Sequence, residues 1–417
     1  DPQRCTGQAA RKVAAYISET FYTAEARARN KPPRIELARL TVRQYQNAAM
    51  DLIATFTGQG QIGAAHGLQA RYYNAKSFRN DKKVLERTDP CVDFDFGSGS
   101  PLPGKIDAEE FAIQWQGSVI ADETGEYEFC LKTENGARLW VHDSDRPRID
   151  AWVQSGDDTE HRETVRLLGG RAYPIRLDYF KSKGKSPSTA SVSLYWRPPH
   201  RAEQLIPQRC LAPDWSPEAL VVETNFPPDD SSAGYERGTS VSQSWHEATT
   251  YAAIEIANKV VDHLPALSGC QEDAPDRPQK VKDFCYRLAE RAFRRPLTEA
   301  EKEFFIEAHF QEGTELESAV KKVVILVLKS PRFLYLGLGG DELGDYQVAS
   351  RLSFGLWDSL PDKALLQAAA EGALRQPEEV ARQAQRMLVD PRTKAKLRRL
   401  RRGQRQRLPQ KPKMRSR

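Results

Sequence analysis

The chain has 417 residues, 39% hydrophobic and 29% charged, which is length enough for two or three domains with their own cores. Its net charge of +5 is local: Arg392 to Arg417 hold 13 Lys or Arg and no Asp or Glu, so residues 1–391 carry −8. A mildly acidic body excludes a nucleic-acid-binding face on a folded module, and no run approaches the ~20 apolar residues of a membrane span.

The first 60 residues read as helix. Val13, Ala14, Tyr16, Ile17 and Phe21 recur near helical spacing until Asn30-Lys-Pro-Pro33 breaks it. Thr41 with Gln44 is a capping-box start, and behind it Val42, Tyr45, Ala49, Leu52 and Ile53 share one face. From Gly67 the texture changes to short alternating runs: Leu68–Tyr73, Phe111–Trp115, Tyr127–Leu131, Arg138–Val141, Tyr173–Tyr179 and Ser191–Trp196. Period two with turn residues between the runs predicts an antiparallel β-sandwich. Trp115, Trp140, Trp152 and Trp196 fall in or beside these runs and read as its core.

Helical spacing returns after a Pro-rich connection. Thr298–Glu301 and Thr314–Glu317 have capping-box spacing, Val320, Val323, Val324 and Val327 lead to Ser330-Pro331, and Pro361 and Pro377 suit first-turn positions. The fold class is therefore multidomain α and β, a central sandwich flanked by all-α segments. The expected divisions are a helical segment 1–63, sandwich 64–212, helical 213–268, 269–340 and 341–400, and a basic disordered tail 401–417.

Six cysteines (Cys5, Cys91, Cys130, Cys210, Cys270, Cys285) allow fifteen pairings and have no C-x-x-C spacing. Disulfides in an oxidising compartment are the expectation. Cys270 with Cys285 would staple the start of a helix, and Cys91 with Cys210 would join the two ends of the sandwich.

Gly67-Leu-Gln-Ala-Arg-Tyr-Tyr73, Asp89-Pro-Cys-Val-Asp-Phe-Asp-Phe-Gly97, Thr124-Gly-Glu-Tyr-Glu-Phe129, Asn135-Gly-Ala-Arg-Leu-Trp-Val141 and Tyr173–Phe180 occur in the order of the protective-antigen-type (PA14) domain, which the segment resembles. That resemblance implies carbohydrate binding. Outside it, Arg39–Asn47, Asn225–Asp230, Ala289–Leu297, Ser330–Phe333, Ala349–Trp357 and Arg386–Asp390 resemble domains of unknown function from planctomycete-type proteins, usually joined to a cytochrome c-like module. The split of the first such domain implies that the sandwich is inserted into it. No C-x-x-C-H motif is present, so no haem is expected in this chain; a cytochrome c-like module is an expected partner. The family's last domain should continue as an amphipathic helix beyond Lys396; the Arg/Gln/Lys-rich end reads instead as truncated or frame-shifted.

Sugar-binding relatives of the sandwich hold Ca²⁺ with two adjacent aspartates at the position of Glu134 and Asn135 here. The resemblance therefore implies a calcium site at Glu134 and Asn135; Asp143, Asp145 and Asp150, near in sequence, are expected as further oxygen donors, and Glu134, Asn135, Arg138, His142, Asp157 and Asp158 are the expected glycan contacts. Asp229-Asp230 is a second acidic pair and reads as a turn. The seven histidines lack H-E-x-x-H spacing, and no nucleophile elbow, phosphate loop or dinucleotide fingerprint occurs.

The expected function is binding of a glycan or cell-wall polysaccharide in an extracytoplasmic setting (periplasm, cell surface or secreted), without catalysis by this chain. The alternatives are a non-catalytic part of a polysaccharide-degrading or electron-transfer enzyme, and a cell-surface scaffold with no ligand.

Overall fold

The computed structural model describes residues 7–23, 25, 38–57, 62–143, 145–153, 158–184, 189–232, 235–337 and 344–407. Helix α1 (Gly7–Ile17) is followed by a two-residue strand β1 (Ala38–Arg39) and helix α2 (Val42–Thr57). The expected capping box opens α2: Thr41 N–H donates to Gln44 Oε1 at 3.0 Å and Gln44 N–H to Thr41 Oγ1 at 3.2 Å.

Twelve strands come next: β2 (Leu68–Tyr73), β3 (Lys83–Asp89), β4 (Asp93–Gly97), β5 (Phe111–Ile120), β6 (Gly125–Thr133), β7 (Gly136–Val141), β8 (Ile149–Ala151), β9 (Glu160–Leu167), β10 (Ala172–Lys181), β11 (Ala190–Arg197), β12 (Gln204–Leu205) and β13 (Leu211–Ala212). One sheet runs β3-β2-β5-β10-β7-β8 with β13 also on β5, and the other runs β12-β11-β6-β9 with β4 also on β11. Alternate residues meet between them: Ile113 and Trp115, Ile175, Leu177 and Tyr179, against Tyr127, Phe129, Leu194 and Trp196, all buried. Each such side chain contributes roughly 1.5–3 kcal/mol relative to exposure. Asp89 is buried among them and satisfied, accepting from Tyr72 Oη at 2.6 Å, Trp115 Nε1 at 2.8 Å and Arg87 Nε at 2.7 Å.

Helices α3 (Gln243–Asp262), α4 (Leu264–Ser268), α5 (Arg277–Phe293), α6 (Glu299–Phe305), α7 (Leu316–Lys329) and α8 (Pro331–Leu334) lead to β14 (Tyr335–Leu336), which pairs with β1. The buried face of α2 (Tyr45, Ala48, Ala49, Leu52, Ile53) joins Trp245, Ile256, Phe284, Leu288, Val324 and Phe333 in one core. The helical domain therefore closes across the sandwich, which is an insertion. Helices α9 (Asp345–Trp357), α10 (Lys363–Ala370), α11 (Pro377–Leu388) and α12 (Pro391–Arg407) form a smaller unit around Trp357, Leu365, Leu374 and Met387.

Several local expectations change. The Thr298–Glu301 capping box is formed, but α7 starts at Leu316 without a side-chain cap, because Glu317 turns away to Arg277 Nη2 at 2.6 Å. Pro377 opens α11, whereas Pro361 lies before the Asp362 cap of α10. The region expected to be a disordered tail is helical as far as Arg407: Arg and Gln are good helix formers, and Arg398, Arg399 and Arg402 are anchored by Asp122, Glu236 and Glu123. Residues 408–417 lie outside the described residues.

Neither expected disulfide is present, and all five described cysteines are free. Cys285 faces the apolar core of the helical domain, while Cys270 Sγ turns to Gln271 O at 3.5 Å; Cys210 Sγ lies 2.9 Å from Arg209 Nη1. Cys5 lies outside the described residues.

Candidate functional site

Strand directions sort the loops of the sandwich into two ends. The 121–124 and 168–171 connections and residues 142–143 and 145–148 gather at one end, which rests on the helices. Arg171 there donates Nε and Nη2 to Asp51 of α2, both at 2.8 Å, and Asp51 also accepts from Ser359 Oγ at 2.6 Å and from Arg392 Nη1 at 3.3 Å. Burial pushes the Asp51 carboxyl up, but the charges of Arg171 and Arg392 and these hydrogen bonds outweigh it and hold the group at about 2. Contact is close enough to require Gly170 (φ +77°), where a Cβ would lie 2.6 Å from the Arg392 backbone.

The opposite end carries the 74–82, 98–110 and 134–135 connections, with residues 152–153, 158–159, 182–184 and 189, and points away from the helices. Glu134 and Asn135 form the β6–β7 turn here. Asn135 is committed to its own neighbours: Oδ1 accepts from Tyr179 Oη at 2.7 Å, and Nδ2 donates to Thr189 O at 3.2 Å. Glu134 Oε2 accepts from Thr189 Oγ1 at 2.7 Å. Asp158 is exposed just before β9, whose first residue pairs with Lys132, so it stands at this end too; Asp157 lies outside the described residues.

Beside the turn lies an aromatic shelf on the outer face of the larger sheet. Trp152 packs against Phe180 (ring centroids 4.5 Å apart) and Phe78 (6.1 Å), and Phe78 meets Tyr73 edge-on at 5.5 Å. Arg138 reaches over Trp152, its guanidinium carbon 4.8 Å from the ring centroid, and donates Nε to Asp150 Oδ1 at 2.9 Å. The Trp152 N–H donates to the same oxygen at 3.1 Å. Arg138 holds the Asp150 carboxyl below the usual carboxylate range. Gly136 makes the shelf fit, because a Cβ there would lie 2.1 Å from the Phe180 ring. Trp115 and Trp196 are core as expected, but Trp140 lies on the outer face of the larger sheet, covered by Arg176 at 4.1 Å from its ring centroid, and Trp152 is half-buried at the surface.

Three of the expected site residues lie elsewhere. His142 ends β7 at the helical end, in a left-handed backbone (φ 74°), with its N–H donating to Pro174 O at 2.9 Å and its ring 6.0 Å from Tyr173. Burial lowers its pKa. Asp143 and Asp145 follow it, about 20 Å from Glu134 across the six-residue strand β7; Asp143 Oδ1 is taken up by the Asp145 N–H at 2.8 Å. They therefore cannot complete a calcium site with Glu134 and Asn135, which leave one uncommitted carboxylate oxygen where Ca²⁺ takes 6–8 oxygens. Among the described residues no group of three or more His, Cys, Asp or Glu is placed to hold a metal ion. Asp229 and Asp230 are structural: Asp229 accepts from Arg39 and from the Val42 N–H at the start of α2, and Asp230 pairs with Arg237.

Residues 64–209 match the PA14 domain, 280–337 the protein of unknown function DUF1595, and 343–406 the protein of unknown function DUF1592. The chain therefore carries a PA14 domain together with two planctomycete-type helical domains. Over 155 residues it is 34% identical to anti-sigma-I factor RsgI3 of Acetivibrio thermocellus, covering 37% of this chain and 22% of that protein. A solved anti-sigma factor domain-containing protein is 32% identical (TM-score 0.33), covering 37% of this chain and 50% of its own. The epithelial adhesin 6 A domain of Candida glabrata, solved with Galb1-3GlcNAc, is 11% identical (TM-score 0.32), covering 40% of this chain and 97% of its own. The chain thus spans about a fifth of its curated relative and half of the first of these structures. Among the described residues no helix is long and apolar enough to cross a membrane.

Proposed function

We propose that the end of the sandwich facing away from the helices binds glycans, with Trp152 as the platform and Arg138, Asp150 and Glu134 as polar contacts. The observation that carries this reading is the half-exposed Trp152, braced by Phe180 and Phe78 and edged by the Arg138–Asp150 pair. A pyranose presents C–H groups on its faces and hydroxyls at its rim. The former pack on an aromatic ring by dispersion and release of water; the latter pair with carboxylate and guanidinium groups, the stronger class of hydrogen bond. The PA14 match over the same residues supports the reading. An extracytoplasmic location goes with it, because cell-wall and other polymeric glycans are met there; cell fractionation tests that part.

A glycan array probed with the full chain, in calcium and again in chelator, tests the proposal. Retention of one sugar class that survives chelator fits contact through Trp152 and its polar rim. Retention lost in chelator keeps the glycan reading but overturns metal-free contact through Trp152 and its polar rim. A blank array with folded protein overturns the reading in favour of a scaffold.

A further inference from the structure

The sandwich, the interrupted helical domain and the C-terminal helices meet around a cleft of about 430 Å³, a size typical of small-molecule sites. It lies at the helical end, remote from the aromatic shelf. Five cations line it: Arg43 from α2, and Arg392, Lys396, Arg399 and Arg402, which share one face of α12. Among the described residues, three carboxylates line the cleft with them. Each is divided between two cations: Glu236 between Arg399 (3.0 Å) and Arg43 (3.4 Å), Asp358 between Lys396 (2.7 Å) and Arg399 (3.7 Å), and Glu123 between Arg402 (2.5 Å) and Arg201 (3.4 Å). Two lining residues, His200 (φ 59°) and Asp358 (φ 53°), hold left-handed backbone conformations of the sort that gather at ligand sites.

We propose that this cleft binds a tetrahedral oxyanion, phosphate or sulfate, free or carried as an ester. Arg392 is taken up by Asp390 at 2.8 Å, so Arg43, Lys396, Arg399, Arg402 and the Arg201 that shares Glu123 face three carboxylates, and this surplus of two positive charges matches a dianion better than a single carboxylate. The guanidinium groups come from different walls, so they meet several oxygens at once, and guanidinium forks suit that geometry. Burial and the neighbouring charge of Arg43 lower the pKa of Arg399, a crowding that a bound anion relieves.

The test is titration calorimetry of the full chain with inorganic phosphate, inorganic sulfate, glucose 6-phosphate and glucuronate, at ionic strength fixed with sodium chloride. We expect saturable binding of at least one inorganic dianion, weakened at least about tenfold in Arg399→Gln, the loss of one charged hydrogen bond. Arg382→Gln, which removes an exposed pair with Glu379 outside the cleft, leaves affinity unchanged. Arg43→Gln serves the same purpose should Arg399→Gln fail to fold. Glucose 6-phosphate binding as tightly as phosphate assigns the cleft to esters, and weaker binding assigns it to the free ion; both uphold the proposal. No saturable binding, wild-type affinity in both cleft variants, or glucuronate binding as tightly as phosphate would overturn it.

Discussion

Arg171 and Asp51 lie 120 positions apart and meet in a two-pronged ion pair at 2.8 Å, which fixes the inserted sandwich to the helix that precedes it. Both side chains are over 90% buried, and Arg392 and Ser359 bring the C-terminal unit to the same carboxylate. A buried pair of this kind contributes little net stability against an apolar replacement, but removing one partner strands a charge.

Replacing Asp51 with Asn leaves Arg171 and Arg392 facing a neutral amide. The expected cost is about 3 kcal/mol, read from urea denaturation of the whole chain. Limited proteolysis should also open the connections that join the sandwich to the helices. A loss below 0.5 kcal/mol would show that the domains are held by other contacts.

Acid should loosen the same junction. The folded pKa of Asp51, about 2, lies below its unfolded value, so the contribution is fully present above about pH 4. It is lost as pH falls through about 2 and is on the order of 2 kcal/mol. Glu301, held at about 2 chiefly by Arg295, loses its contribution over the same window. Wild type should therefore show a steeper drop in Tm between pH 5 and pH 2 than Asp51→Asn; equal slopes would contradict the assignment.

The free thiols give a chemical check. Burial pushes the Cys285 thiol up to about 12, so it should resist alkylation in the native protein. After unfolding without reductant, all five described cysteines should label. Cys270 or Cys285 staying blocked until reductant is added would restore the staple expected from the sequence.

Thr298→Ala removes one half of a complete capping box at the start of α6. The expected cost is about 1 kcal/mol, measured by thermal denaturation, with no effect on either proposed binding site. A neutral substitution would show that the pairing of Glu301 with Arg295 and Arg332 suffices to start the helix.

The strands that read clearly in the sequence are those with one buried face. β3 and β9 did not: Lys83-Val-Leu-Glu-Arg-Thr-Asp89 and Glu160-His-Arg-Glu-Thr-Val-Arg-Leu167 are edge strands whose residues are mostly exposed. Their order comes from pairing with β2 and β6, a non-local term that alternation cannot report. The insertion was legible because the helical resemblance breaks off and resumes, but the Asp51–Arg171 contact behind it was not. At the site, Glu134, Asn135 and Arg138 were named from the family resemblance, which marks the β6–β7 turn and the strand after it. Phe180 was within reach, since Tyr173, Ile175, Leu177 and Tyr179 facing inward put it outward. Trp152 follows a three-residue strand too short to fix which way it points, and its role appears only once Phe180 and Phe78 are in place. The acidic residues of the expected calcium site were grouped by nearness in sequence, and the extended strand β7 places them at opposite ends.

The most direct measurement is binding of the full chain and its Trp152→Ala variant to whichever glycan an array selects, with circular dichroism confirming that both are folded. The account predicts that Trp152→Ala weakens binding by at least about tenfold, as expected for truncating a central aromatic anchor, and that Gly136→Ala, which displaces Phe180 beneath it, weakens it in the same direction. Undiminished binding by folded Trp152→Ala would contradict it and move the site off the aromatic shelf.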